Sequence, residues 1–125
     1  MSAQRETMTW THSIPRPPVP QFLRETLKDY PELIEQIQVY VDEIVAKYLE
    51  RKWGVPFNEV VEVLDDTLSA RYSDAYEALK EAEQTGDSQA IYRAKIKYDA
   101  LVVAGRPRSL PELRDYFETY KGAFE

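Results

Sequence analysis

Glu32 and Glu35 stand three residues apart, as do Glu62 and Asp65, a spacing that sets two carboxylates one turn apart on the same side of a helix. Two such pairs brought together would offer hard oxygen ligands to a magnesium ion, and the ion would in turn clamp a polyphosphate. The same acidic spacing recurs at Glu59 and Glu62, Asp74 and Glu77, and Glu112 and Asp115, in a chain with 22 acids among 125 residues. The rest of the catalytic repertoire is thin. No cysteine is present, which excludes thiol nucleophiles, thiolate metal sites, disulfides and iron–sulfur clusters together. The only histidine, His12, lies in an alternating segment near the start, so neither a Ser-His-Asp triad nor a histidine-ligated metal is expected. Gly54, Gly86, Gly105 and Gly122 all fall at expected helix ends, which leaves no glycine-rich phosphate loop. No catalytic, metal-binding or cofactor-binding residue is assigned, and no cofactor is expected.

Glu32-x-x-Glu35 and Glu62-x-x-Asp65, with 26 residues between them, resemble the paired ExxE and ExxD motifs of all-helical MazG-type nucleotide pyrophosphohydrolases. The resemblance covers eight positions on two helices and implies a magnesium-dependent nucleotide hydrolase built on those four acids. Helical periodicity points elsewhere. If Ile34, Ile37, Val41 and Ile44 face a core, Glu32 and Glu35 fall about 150° from it, and Glu62 roughly 125° from the apolar face of the next helix. Only Asp65 sits at the core's flank, so the oxygens diverge where a metal cage needs them to converge.

A second motif, Gly105-Arg106-Pro107-Arg108, is similar to the GRP core of AT-hook segments, which implies a nucleic-acid-associated accessory protein using the basic segment 93–108. Val102, Val103 and Ala104 precede it where such hooks carry further bases. The same residues also read as a helix stop, glycine then proline, with arginines at the negative end of the helix dipole. Overall acidity opposes free nucleic-acid binding, because phosphate contacts supply most of the non-specific affinity. Residues 15–20, PRPPVP, hold two overlapping PxxP spacings that would fit an aromatic groove or simply stiffen the chain.

The elements that would position these groups are written clearly. Residues 7–14 alternate strictly, with Thr7, Thr9, Thr11 and Ser13 on one side and Met8, Trp10, His12 and Ile14 on the other, the pattern of a half-buried strand. With no strand elsewhere to pair with, that arm is expected to pair outside its own fold, for instance with the arm of a second copy. Five helices follow. The first covers about 21–28 with Phe22, Leu23 and Leu27 inward. The second covers about 31–53, with Ile34, Ile37, Val41, Ile44 and Tyr48 along its apolar stripe, flanked by Leu33, Tyr40, Val45 and Leu49, and closes at Gly54. The third runs from about 57 to 84 along Phe57, Val60, Val61, Leu64, Leu68, Tyr72, Ala75, Tyr76, Leu79 and Ala82, with a break allowed near Ser73. Thr85-Gly86-Asp87 turns the chain back into a fourth helix over about 88–104, antiparallel to the third. The fifth covers about 110–121 with Leu113, Tyr116, Phe117 and Tyr120 inward. Asp29 and Ser109 stand three before a glutamate, Glu32 and Glu112, with Pro31 and Pro111 in the first turn, the spacing of a capping box.

The expected fold is therefore all-α: an extended N-terminal arm, residues 1–20, before a bundle of four to five helices, residues 21–125, in one domain. The fourth helix has two apolar faces: Ile91, Ala94, Tyr98, Leu101 and Val102 make one, Tyr92, Ile96 and Val103 the other. It is either a central helix covered on both sides or one that meets a partner. Charge is polarised. Residues 57–83 carry eight acids against Arg71 and Lys80, net −6, while 93–108 carry five bases against Asp99, net +4. The first thirteen residues contain no apolar run and carry Arg5 and Glu6, and no stretch approaches the ~20 apolar residues of a membrane span, so a cytoplasmic, membrane-free location is expected.

These features favour a small acidic protein–protein interaction module, such as an inhibitor, an antitoxin-like protein or an accessory subunit, over an enzyme. The contacts are expected from Met8, Trp10 and Ile14 on the arm and from Glu59, Asp66 and Glu77 on the acidic helix. Tyr92, Ile96 and Val103 on the second face of the fourth helix would join them, as would Arg106 and Arg108 after it. A protein partner is expected, with a homodimer through the arm or the fourth helix as one form and nucleic acid disfavoured.

Overall fold

A computed structural model describes residues 10–106 and 110–125. It is all-α. Its elements are α1 (Gln21–Thr26), α2 (Pro31–Arg51), α3 (Phe57–Thr85), α4 (Ser88–Ala104), α5 (Pro111–Thr119) and a closing 3-10 turn (Lys121–Phe124), and no strand forms among the described residues. Pro31 and Pro111 open their helices in the first turn, where a missing N–H is harmless. The capping box expected at Asp29 does not form: Tyr30 is the cap residue of α2 and no side chain bonds the first-turn amides. Asp87 does cap, its Oδ1 accepting from the amides of Gln89 at 3.0 Å and Ala90 at 3.4 Å. Gly86, at φ 74°, supplies the left-handed residue that ends α3.

In α2 the buried residues are Leu33, Ile37, Val41, Val45 and Leu49, each four after the last. Ile34, Ile44 and Tyr48, expected on the midline of the stripe, are half-buried at its flank. The helix stops at Lys52 rather than Gly54. Lys52 takes the left-handed conformation at φ 54°, held there as its Nζ donates to the Ala123 carbonyl at 3.1 Å and the Gly54 amide to the Phe124 carbonyl at 2.8 Å. Phe124 is wholly buried, and Phe117 stacks edge-on against both it and Phe57, which ties the chain's last turn to the start of α3.

Continuous through Ser73, α3 has 29 residues against 21 in α2. At ~1.5 Å per residue it outruns α2 by about 12 Å. The common core uses α3 only as far as Ala75 and α4 only from Tyr98 onward, whereas Leu79 and Ala82 are buried but stand apart from it. The distal turns of α3 and α4 thus form a two-helix hairpin projecting from the bundle, each helix covering the other. This corrects the central-helix alternative for α4, whose only fully buried side chains are Leu101 and Ala104, packed near α1. Phe22, expected inward, is exposed on α1, whereas Leu23 and Leu27 are buried.

The strand expected over residues 7–14 is not formed in its described part, 10–14, which bends back on the bundle. Prolines explain how that segment is satisfied without a strand partner. Pro15, Pro17, Pro18 and Pro20 have no N–H, so the main need is to cap carbonyls, and side chains do so. The Trp10 indole donates to the Ile14 carbonyl at 2.6 Å, the Tyr116 hydroxyl to that of Pro15, Gln38 to that of Pro17 at 2.8 Å and Arg24 to that of Val19 at 2.9 Å. Arg16 pairs with Asp42 at 2.7 Å, while Ile14, Pro17 and Val19 are buried. The PxxP segment is seated on its own α2 and α5.

Candidate functional site

Four of the eight large apolar side chains that stay exposed among the described residues lie along α3 and α4, the others being Phe22, Tyr40, Trp53 and Val55. Tyr72, Tyr76, Tyr92 and Ile96 retain 38%, 41%, 67% and 41% of their surface. On the α3 side, the Tyr72 and Tyr98 hydroxyls lie 3.0 Å apart with ring centroids at 5.2 Å, and the Tyr76 ring is 6.1 Å from that of Tyr98. That bond to Tyr72, followed by burial, holds the Tyr98 phenol above its ordinary pKa near 10. Lys80 reaches over the Tyr76 ring at 5.4 Å.

The tyrosines continue into a groove of about 870 Å³ between α3 and the C-terminal half of α4. Leu64, Leu68 and Leu101 line its base with Leu23 of α1, Val61 and Val102 its walls, and Asp65, Ser69 and Arg106 supply polar groups. A largely apolar concavity with a few polar groups suits a partner's side chains better than it suits an ion. α3 presents successive turns to this groove because residues 61, 64, 65, 68 and 72 share one side of the helix.

The expected contact residues are only partly brought together. Tyr92 and Ile96 are exposed one turn apart on α4, Val103 is half-buried, and Arg106 borders the groove. Asp66 and Glu77 are exposed on α3. Glu59 is exposed at the opposite end, where it accepts a hydrogen bond from the Tyr48 hydroxyl, the main cause of that phenol's raised pKa. The arm does not join the hairpin: Ile14 is 8% exposed and belongs to the bundle core, and Trp10 is half-buried against that core, stacked 4.7 Å from His12. Met8 and Arg108 lie outside the described residues.

The four acids of the ExxE and ExxD spacing are each exposed and serve different surroundings. Glu32 lies 4.0 Å from Lys97 Nζ, and Asp65 lines the groove. Among the described residues no group of three or more His, Asp or Glu side chains is placed to hold a metal ion. Comparison with family models, curated proteins and solved structures returns no match.

Periodicity places Tyr72 and Tyr76 on the core-facing stripe of α3, yet both are exposed, whereas Tyr98, placed core-facing on α4, does pack half-buried against the core. A smaller exposed patch lies at the α2–α3 turn, where Trp53 is 54% exposed, packed edge-on by Tyr48 at 5.2 Å and covered by the Arg51 guanidinium at 5.0 Å. No helix among the described residues is long and apolar enough to cross a membrane.

Proposed function

We propose that this chain is a protein–protein interaction module that acts by seating a macromolecular partner on the α3–α4 hairpin and its groove, as an inhibitor, antitoxin-like protein or accessory subunit does. One observation carries the reading: Tyr72 and Tyr98 line an apolar groove between α3 and α4, with exposed Tyr76 beside them. Tyrosine brings a large apolar area and a hydroxyl to an interface at little entropic cost, and such residues dominate binding energy when a partner covers them. Polarised charge on the same two helices would speed encounter and fix orientation.

The reading is tested by affinity capture from the native host with the full chain as bait, run beside Tyr72→Ala/Tyr76→Ala and Glu32→Gln/Glu62→Gln baits. The interaction module requires a specific protein retained by the wild type and by the carboxylate variant but lost from the tyrosine variant. Magnesium-dependent turnover of a nucleoside triphosphate that disappears in Glu62→Gln would replace it with the hydrolase that the acidic motifs resemble.

A further inference from the structure

We propose that the cradle formed by α2 and α5 is a recognition site for proline-rich segments. The chain's own proline strap, residues 14–20, is its resident ligand and keeps it closed until a proline-rich segment of a separate protein displaces it. This surface is not the α3–α4 groove, so the two readings stand or fall separately. Ile14, Pro17 and Pro20 are buried, while Pro15, Arg16 and Pro18 between them keep part of their surface. Burial at every third residue is the period of a polyproline helix, which has three residues per turn. Pro20, at φ −53° and ψ 140°, lies near the conformation of that helix.

The cradle holds its ligand by means that do not depend on a shared chain. A run of prolines offers carbonyls and no amides, and the cradle answers with side-chain donors, Tyr116 to the Pro15 carbonyl and Gln38 to that of Pro17 at 2.8 Å. Asp42 pairs with Arg16 at 2.7 Å and so selects a base one residue ahead of the buried proline. These groups are oriented from within the bundle. Gln38 also donates to Asp42 Oδ1 at 2.9 Å, and the Tyr116 ring packs on those of Phe117 and Tyr120. A stiff proline segment loses little freedom on docking, which favours it over a flexible peptide of the same polarity. The root of the strap is pinned, because Val19 is buried and the Pro20 carbonyl accepts from the amides of Leu23 and Arg24 at 3.0 and 3.1 Å. Displacement therefore pivots after Pro18. The strap of a second copy, rooted in the same way, has little slack to cross between bundles, and a separate protein's segment has no such root.

Fluorescence anisotropy of a labelled synthetic peptide of residues 10–18, titrated with the full chain, tests this, with helical circular dichroism confirming that each variant is folded. The wild type should bind the peptide weakly, because its tethered strap competes at about millimolar effective concentration. In Arg16→Asp the strap is repelled from Asp42 while the cradle is untouched, so the peptide should bind about tenfold tighter or more. Arg16→Gln should move affinity in the same direction by less, and it serves if the aspartate variant loses its helical signal. Asp42→Arg should lose the wild-type peptide and bind instead a peptide carrying Arg16→Asp, because opposite charges then meet again. Pro17→Ala in the peptide should weaken binding by about fivefold or more. In the nuclear magnetic resonance spectrum of the isotopically labelled wild type, excess unlabelled peptide should move the indole N–H signal of the chain's own Trp10 toward that of a free indole. Arg16 variants that bind no tighter than the wild type overturn the proposal, as does an Asp42→Arg chain that fails to discriminate between the two peptides. Either result would make the strap a fixed part of the fold.

Discussion

Tyr116 does more than fill space. Its ring is buried beside Phe117 and Tyr120, and its hydroxyl caps the Pro15 carbonyl across the arm. Burial, followed by the charges of Tyr120 and Asp42, raises its pKa above the ordinary value near 10. A phenol whose pKa is raised by folding binds its proton more tightly in the native state. Its contribution is complete below the unfolded pKa of about 10 and is lost as pH climbs from there toward the folded value. Stability measured by urea unfolding should thus fall more steeply above about pH 10 in the wild type than in Tyr116→Phe. At neutral pH the same substitution should cost about 0.5–1.5 kcal/mol, the net worth of one hydrogen bond, with more if the Pro15 carbonyl is left dry. Asp87→Ala should cost about 1 kcal/mol, because it removes the two amide contacts that start α4. An unchanged unfolding midpoint in that variant would mean that water replaces the cap in full.

Among the elements, α2 shows both how far periodicity reaches and where it stops. It marks a helix, and Pro31 marks its start, but Ile34, Ile44 and Tyr48 widen the apolar arc so that its midline cannot be read from spacing alone. Packing against α3, the closing 3-10 turn and the N-terminal strap picks out the row from Leu33 to Leu49. Ile37→Ala should accordingly cost about 2–5 kcal/mol in chemical denaturation, and Ile34→Ala distinctly less, since a half-buried side chain leaves a smaller void. Equal losses at the two positions would show the stripe centred where the spacing first put it. The bounds of α4 were legible to the residue, because Thr85-Gly86-Asp87 encodes a stop, a left-handed turn and a cap within three positions. The groove was not. It depends on α4 lying along residues 61–72 of α3 and on Leu23 and Leu110 arriving from segments remote in sequence. The arm was misread for a related reason: the groups that satisfy its carbonyls, Gln38 and Tyr116, are 21 and 101 residues away from the carbonyls they cap.

At the scale of the whole molecule, the bundle is closed by a proline strap on one side and by Phe124 on another. Removing residues 1–19 would strip Ile14, Pro17 and Val19 from α2 and α5. At roughly 1.5–3 kcal/mol for each large apolar side chain returned to water, it should lower stability by several kcal/mol and the melting temperature by more than ten degrees or so. A thermal melt unchanged by that truncation would show the strap to be an ornament of the fold. Its position also sets a timetable for synthesis. The strap leaves the ribosome well before α5, whose hydroxyl caps it from 101 residues later. Until then the nascent chain carries Ile14 and Val19 with no finished cradle, exposed to chaperones, and the α3–α4 hairpin, whose contacts are local, can form well before them. A segment made before the helices that seat it is thus among the last to find its place.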